Sequence, residues 1–139
     1  MLREGYAAVT SRRVAAEAGV KAQLVHYYFR TMDDLFLEVY RRRADQGVER
    51  FATAMDVDRT LRTFWRFGTD LGGAAFNIEF VALANHRKAI RDEIAHYARR
   101  FREMQLEAVA AILSDHGVPP DACPPVVVLL AMAGVTQAC

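Results

Sequence analysis

The stretch from Thr10 to Phe29, TSRRVAAEAGVKAQLVHYYF, holds side chains suited to the edges and backbone of a nucleic acid. Gln23 can bond an adenine edge through two contacts, Lys21 can reach guanine or phosphate, and Ala22 leaves room for a thymine methyl or touches it. His26 and Tyr27 donate well to phosphate oxygens, which sets register rather than sequence. Arg12 and Arg13 suit the backbone of the opposite strand. Gln23 and Tyr27 stand four residues apart, so on a helix they share a face that points away from Val25 and Phe29.

Presenting those groups requires two short helices joined by a tight corner. Thr10 or Ser11 can cap the first, whose inner face is Val14, Ala15 and Ala18. Gly19 sits where a tight turn needs a residue without a β-carbon, and Val20 plugs the corner. The second helix starts at Lys21, with Val25, Tyr28 and Phe29 as its apolar side. Ala15 and Ala18 are small enough for the two helices to cross closely, at the steep angle of a helix-turn-helix. An ordinary αα-hairpin with a basic surface fits the same spacing.

The flanks narrow the choice. With GYAAVT from Gly5 to Thr10 ahead of it and RTMDDL from Arg30 to Leu35 behind it, the stretch resembles the DNA-binding domain of TetR-family transcriptional regulators. The likeness runs through these residues without a gap. It implies a homodimeric, effector-responsive regulator, most often a repressor, on a palindromic operator in double-stranded DNA. Arg12, Lys21, Ala22, Gln23, Leu24, His26 and Tyr27 would then face DNA, joined at the helix starts by Thr10, Arg13 and Thr31. Val14, Ala18, Val20, Val25 and Phe29 would be core. The sequence departs from the family in three places. Only Met1 to Glu4 stand for the family's first helix, and Met32 replaces a Lys that usually opens the fourth. The chain stops at Cys139, inside the first of two helices that form the family's dimer interface. Truncation at both ends is therefore expected.

The rest of the chain reads as all-α. Apolar residues at Ile90, Ile94, Tyr97, Phe101, Met104, Ala108 and Ile112 form one stripe, predicting an amphipathic helix from Arg87 to Ser114 that Gly117 and Pro119-Pro120 end. A second long helix should run from Met32 to about Met55, capped by Thr31 with Asp34 completing a capping box. Asp58 can cap a shorter helix through Phe67. Gly72-Gly73 is expected to break the pattern before a helix from Ala74 to Asn85, and Pro124-Pro125 to introduce a last one through Gln137. Val126-Val127-Val128 could pass for a buried strand.

Charge divides the chain near Arg43. Residues 1–43 carry eight basic and five acidic side chains, net +3; residues 44–139 carry ten and twelve, net −2, which together give the whole-chain +1. The first part is the helix-turn-helix domain, with its motif at residues 10–29. The resemblance implies that the second (44–139) is a helical effector-binding and dimerisation domain, expected to be incomplete at its carboxy terminus. Within it, large apolar groups are interspersed with a few polar ones, the character of a ligand chamber for a largely apolar small molecule. Phe64, Trp65, Phe76, Phe80 and Leu83 are the candidate lining from its first half. Glu79, His86, Tyr97 and Phe101 complete it. The same aromatics also read simply as core.

Other chemistry finds little support. Glu93 and His96 have the Glu-x-x-His spacing of di-iron bundles, but such sites need two of these motifs, so no metal is expected. Cys123 and Cys139 are too few for a disulfide scaffold and lack zinc spacing. No phosphate loop, nucleophile elbow or cofactor motif appears, and no enzyme is expected. The Met1-Leu2-Arg3-Glu4 start opens no signal peptide, which makes cytoplasmic the expected location. The apolar run Val126 to Val135 is too short to span a membrane and should self-associate or aggregate in this clipped form, and the resemblance implies a homodimer through the carboxy-terminal helices. A rival from another class is a truncated helical module that binds a ligand or protein and no longer binds DNA.

Overall fold

The computed structural model describes residues 4–136. Among them there is no strand: a 3-10 turn at Tyr6–Ala8 precedes seven helices, α1 (Ser11–Glu17), α2 (Ala22–Tyr28), α3 (Met32–Val57), α4 (Leu61–Gly68), α5 (Leu71–Ala84), α6 (Lys88–Asp115) and α7 (Pro125–Thr136). The all-α expectation holds, and Val126-Val127-Val128 is helical. Met1, Leu2, Arg3, Gln137 and Cys139 lie outside the described residues, and with them the expected end of the last helix.

Local hydrogen bonds set most boundaries. Thr10 Oγ1 accepts from the Arg13 amide at 3.3 Å and opens α1. Thr31 and Asp34 form the expected capping box at α3, Asp34 N donating to Thr31 Oγ1 at 3.1 Å and Thr31 N to Asp34 Oδ2 at 2.9 Å. Gly19 (φ +65°) and Gly117 (φ +69°) take the left-handed conformation that ends α1 and α6. Past each, the next amide reaches back: Val20 N donates to Ala15 O and Val118 N to Leu113 O, both at 2.9 Å.

Two expected boundaries move. Thr60, not Asp58, caps α4, its Oγ1 accepting from Thr63 N at 3.2 Å. Asp58 instead accepts from the Thr63 hydroxyl at 2.5 Å, bracing the cap from outside. Gly72-Gly73 does not break α5, which runs through both. Two helical glycines cost about 2 kcal/mol, and the burial of Phe80 and Leu83 further along the same helix outweighs that.

The chain divides into two compact units. The first holds the residues up to Ala44 together with Gly72–Ala95. Its core comprises Ala15, Val25, Leu35, Phe36, Tyr40, Phe80, Leu83, Ala84 and Ile90, all buried. Phe76 stacks on Tyr40 (centroids 6.2 Å apart, planes 9° off parallel) and Phe80 meets Phe36 edge-on at 6.4 Å. Arg41 grips Glu93 through two bonds of 2.9 and 2.8 Å, and Arg87 pairs with Asp33 in the first turn of α3. Sequence spacing alone places Gly72–Ala95 with the effector domain; these ring contacts and ion pairs join it to the head.

The second unit holds Asp45–Leu71 and the residues from His96 onward. Phe51, only 1% exposed, is its centre. Three rings meet it edge-on, Phe64, Phe67 and Phe101, with centroids 5.7, 5.4 and 5.1 Å away. Val128, Leu129 and Met132 of α7 close the same cluster.

Candidate nucleic-acid interface

Helices α1 and α2 are seven residues each, so each turns about twice and buries one position fully, Ala15 and Val25. The opposite side of α2 stays in water. Lys21, Gln23, Leu24, His26 and Tyr27 are exposed, Tyr27 to 80%, while Ala22 is half-buried. Arg12 and Arg13 are exposed on α1, as are Thr10 and Thr31 at the two caps. Nine of the ten residues nominated for DNA are therefore exposed, Gln23 and Tyr27 among them.

Arg13 differs from Arg12. Its guanidinium donates to both Glu4 carboxylate oxygens, at 2.7 and 2.9 Å, and to the Ala8 carbonyl at 3.3 Å. The hydrogen bond and the charge of Arg13 hold the Glu4 carboxyl below its usual range, and Glu4 raises Arg13 in return. Arg13 thus clamps the Tyr6–Ala8 turn onto α1, a role the spacing of residue types did not suggest.

Three expected core positions are not buried. Ala18 is exposed, Val20 is 39% exposed, and Tyr28 is 69% exposed with its ring edge-on to Tyr27 at 5.2 Å. Two turns of helix offer too narrow a buried stripe: Tyr28 lies about 60° around from Val25, outside it. Val14 and Phe29 are half-buried.

This arrangement, two short helices, the first capped by Thr10, meeting at a left-handed glycine with polar groups on the outer face of the second, is a helix-turn-helix. Residues 1–39 match the family model described as bacterial regulatory proteins, tetR family. The head is similar to those of the TetR family over these residues. The matched region is that of a helix-turn-helix DNA-binding domain, which supports a DNA-binding transcriptional regulator. No curated protein and no solved structure matches the chain.

The residues nominated for a ligand chamber divide between the two cores. Phe76 and the fully buried Phe80 and Leu83 belong to the first unit, with Glu79 half-buried and His86 exposed. Phe64 and Phe101 surround Phe51 in the second unit, where Trp65 and Tyr97 are half-buried. Two concavities of the second unit are lined by other residues. One lies by the turn after α6, and the other runs along Phe51, Met55, Met104 and Ala108. Sequence spacing carried a signal for the latter, since Phe51, Met55 and Arg59 recur every four residues, as do Met104 and Ala108. Glu93, considered as a metal ligand, is engaged by Arg41, and no cluster of three metal-ligating side chains occurs among the described residues. Among the described residues no helix is long and apolar enough to cross a membrane.

Proposed function

We propose that the chain is an effector-responsive repressor that binds a near-palindromic operator as a homodimer. Helix α2 enters the major groove, with Lys21, Ala22 and Gln23 toward base edges and His26 and Tyr27 toward phosphates. Two such helices in a dimer read half-sites roughly 34 Å apart. The observation that carries this reading is that Gln23 and Tyr27 are exposed together, beside the exposed Arg12. The dimer reading is supported by α7, where Val126, Val127 and Leu130 are 48%, 52% and 66% exposed, an apolar face suited to a second copy.

An effector bound to the second unit would shift the population between dimers with well and badly spaced heads, by no more than its differential affinity for the two. Helix α3 is the coupling element, because it begins in the head's unit and ends in the other. Titration of a selected operator with the parent, Gln23→Ala and Tyr27→Ala should show each variant weakened about tenfold or more. Equal affinity for all three would sink the assignment of α2. A second reading, a helical module that binds protein rather than DNA, draws on the exposed Val20, Leu24 and Tyr28. The same titration separates the two, because that module would bind no operator at all.

A further inference from the structure

The second unit carries a groove of about 440 Å³ between residues of α3 and α6, a volume typical of small-molecule sites. Phe51, Met55 and Met104 form an apolar floor, and three alanines (52, 108 and 111) keep the space open. Methionine side chains adapt to irregular apolar bodies. Asp56, Arg59 and Glu107 line the same groove. Arg59 is committed to Asp115, 3.1 Å away, so its charge is locally matched. Asp56 and Glu107 are exposed and have no ion-pair or hydrogen-bond partner among the described residues. The unmatched charge of the groove is therefore negative above an apolar floor. The neighbouring concavity, about 270 Å³ beside Gly117 and Pro119-Pro120, offers only Ser114 as a polar side chain and selects for no charge.

From this we infer that the groove binds an organic cation with an apolar body, seated with its cationic end between Asp56 and Glu107 and its apolar part over Met55 and Met104. The inference rests on the effector reading above and names the chemical class of that effector. A carboxylate of the same length would meet repulsion, and a neutral analogue would gain the floor but not the rim.

Calorimetric titration of the full chain with decyltrimethylammonium, decanol and decanoate, each below its aggregation concentration, tests this. The ammonium should bind most tightly. In an Asp56→Asn/Glu107→Gln double variant its affinity should fall about three- to tenfold, to that of decanol, while decanol binding stays unchanged. Ala108→Trp, which fills the groove, should abolish binding of both. An ammonium that binds no better than decanol, or equally well to the double variant, overturns the assignment. Because calorimetry needs no DNA, the two readings fail separately. Cation binding by a chain that binds no operator supports the groove and overturns only the regulator reading. Operator binding without cation preference does the reverse.

Discussion

The helix-turn-helix and the core around Phe51 are both helical, yet they are held by different means. In the head, α1 and α2 bury one residue each, and hydrogen bonds between residues three to five apart define their ends: Thr10 to Arg13, Val20 to Ala15. Around Phe51, rings from α3, α4 and α6 converge from positions far apart in the chain. A surface that reads DNA must leave its outer face unpacked, so turns and caps hold it in shape. The second unit can spend its large side chains on a core and still leave a groove beside them.

If that contrast is right, Phe51→Ala should cost about 3–5 kcal/mol in urea unfolding, and Val25→Ala half of that or less. Equal losses would mean that the head leans on packing as heavily as the second unit does. Next in size, Gly19→Ala must place a β-carbon at φ +65° and should cost about 1–2 kcal/mol. Nothing lies within 4 Å of the added carbon, so the cost is backbone strain alone. Hydrogen exchange should show faster opening of α1 and α2, with protection around Phe51 unchanged.

The smallest effect concerns the Glu4–Arg13 clamp. Glu4 titrates below its ordinary 4.5 when folded, so its contribution is complete above that value and is lost as the pH falls beneath it. Arg13 is raised above its ordinary value by Glu4 and adds no dependence at lower pH. Amide protection in the Tyr6–Ala8 turn should therefore differ between the parent and Glu4→Gln at neutral pH and converge in acid. A difference that persists unchanged into acid would remove Glu4 ionisation as the cause.

Much of the site was legible from residue types because it depends on near neighbours. The exposed Gln23–Tyr27 face follows from α2 having one buried stripe, and the resemblance to TetR-type heads rested on the same local pattern. Tyr28 was misplaced because an aromatic next to Phe29 looks like core until the width of that stripe is known. The groove was missed because its two halves, Phe51 to Asp56 with Arg59 just past the end of α3, and Met104 to Ala111 on α6, belong to helices whose pairing no spacing reveals.

Helix type and most helix ends were written in the chain itself. Thr10, Gly19, Thr31 with Asp34, and Gly117 act on amides a few positions away, and no distant contact is needed to satisfy them. Only the folded molecule decided that α5 continues through Gly72-Gly73, that Thr60 rather than Asp58 caps α4, and that Gly72–Ala95 joins the head. In the first and last of these, burial summed over Phe76, Phe80 and Leu83 exceeds any local preference, and such sums exist only once distant segments have met.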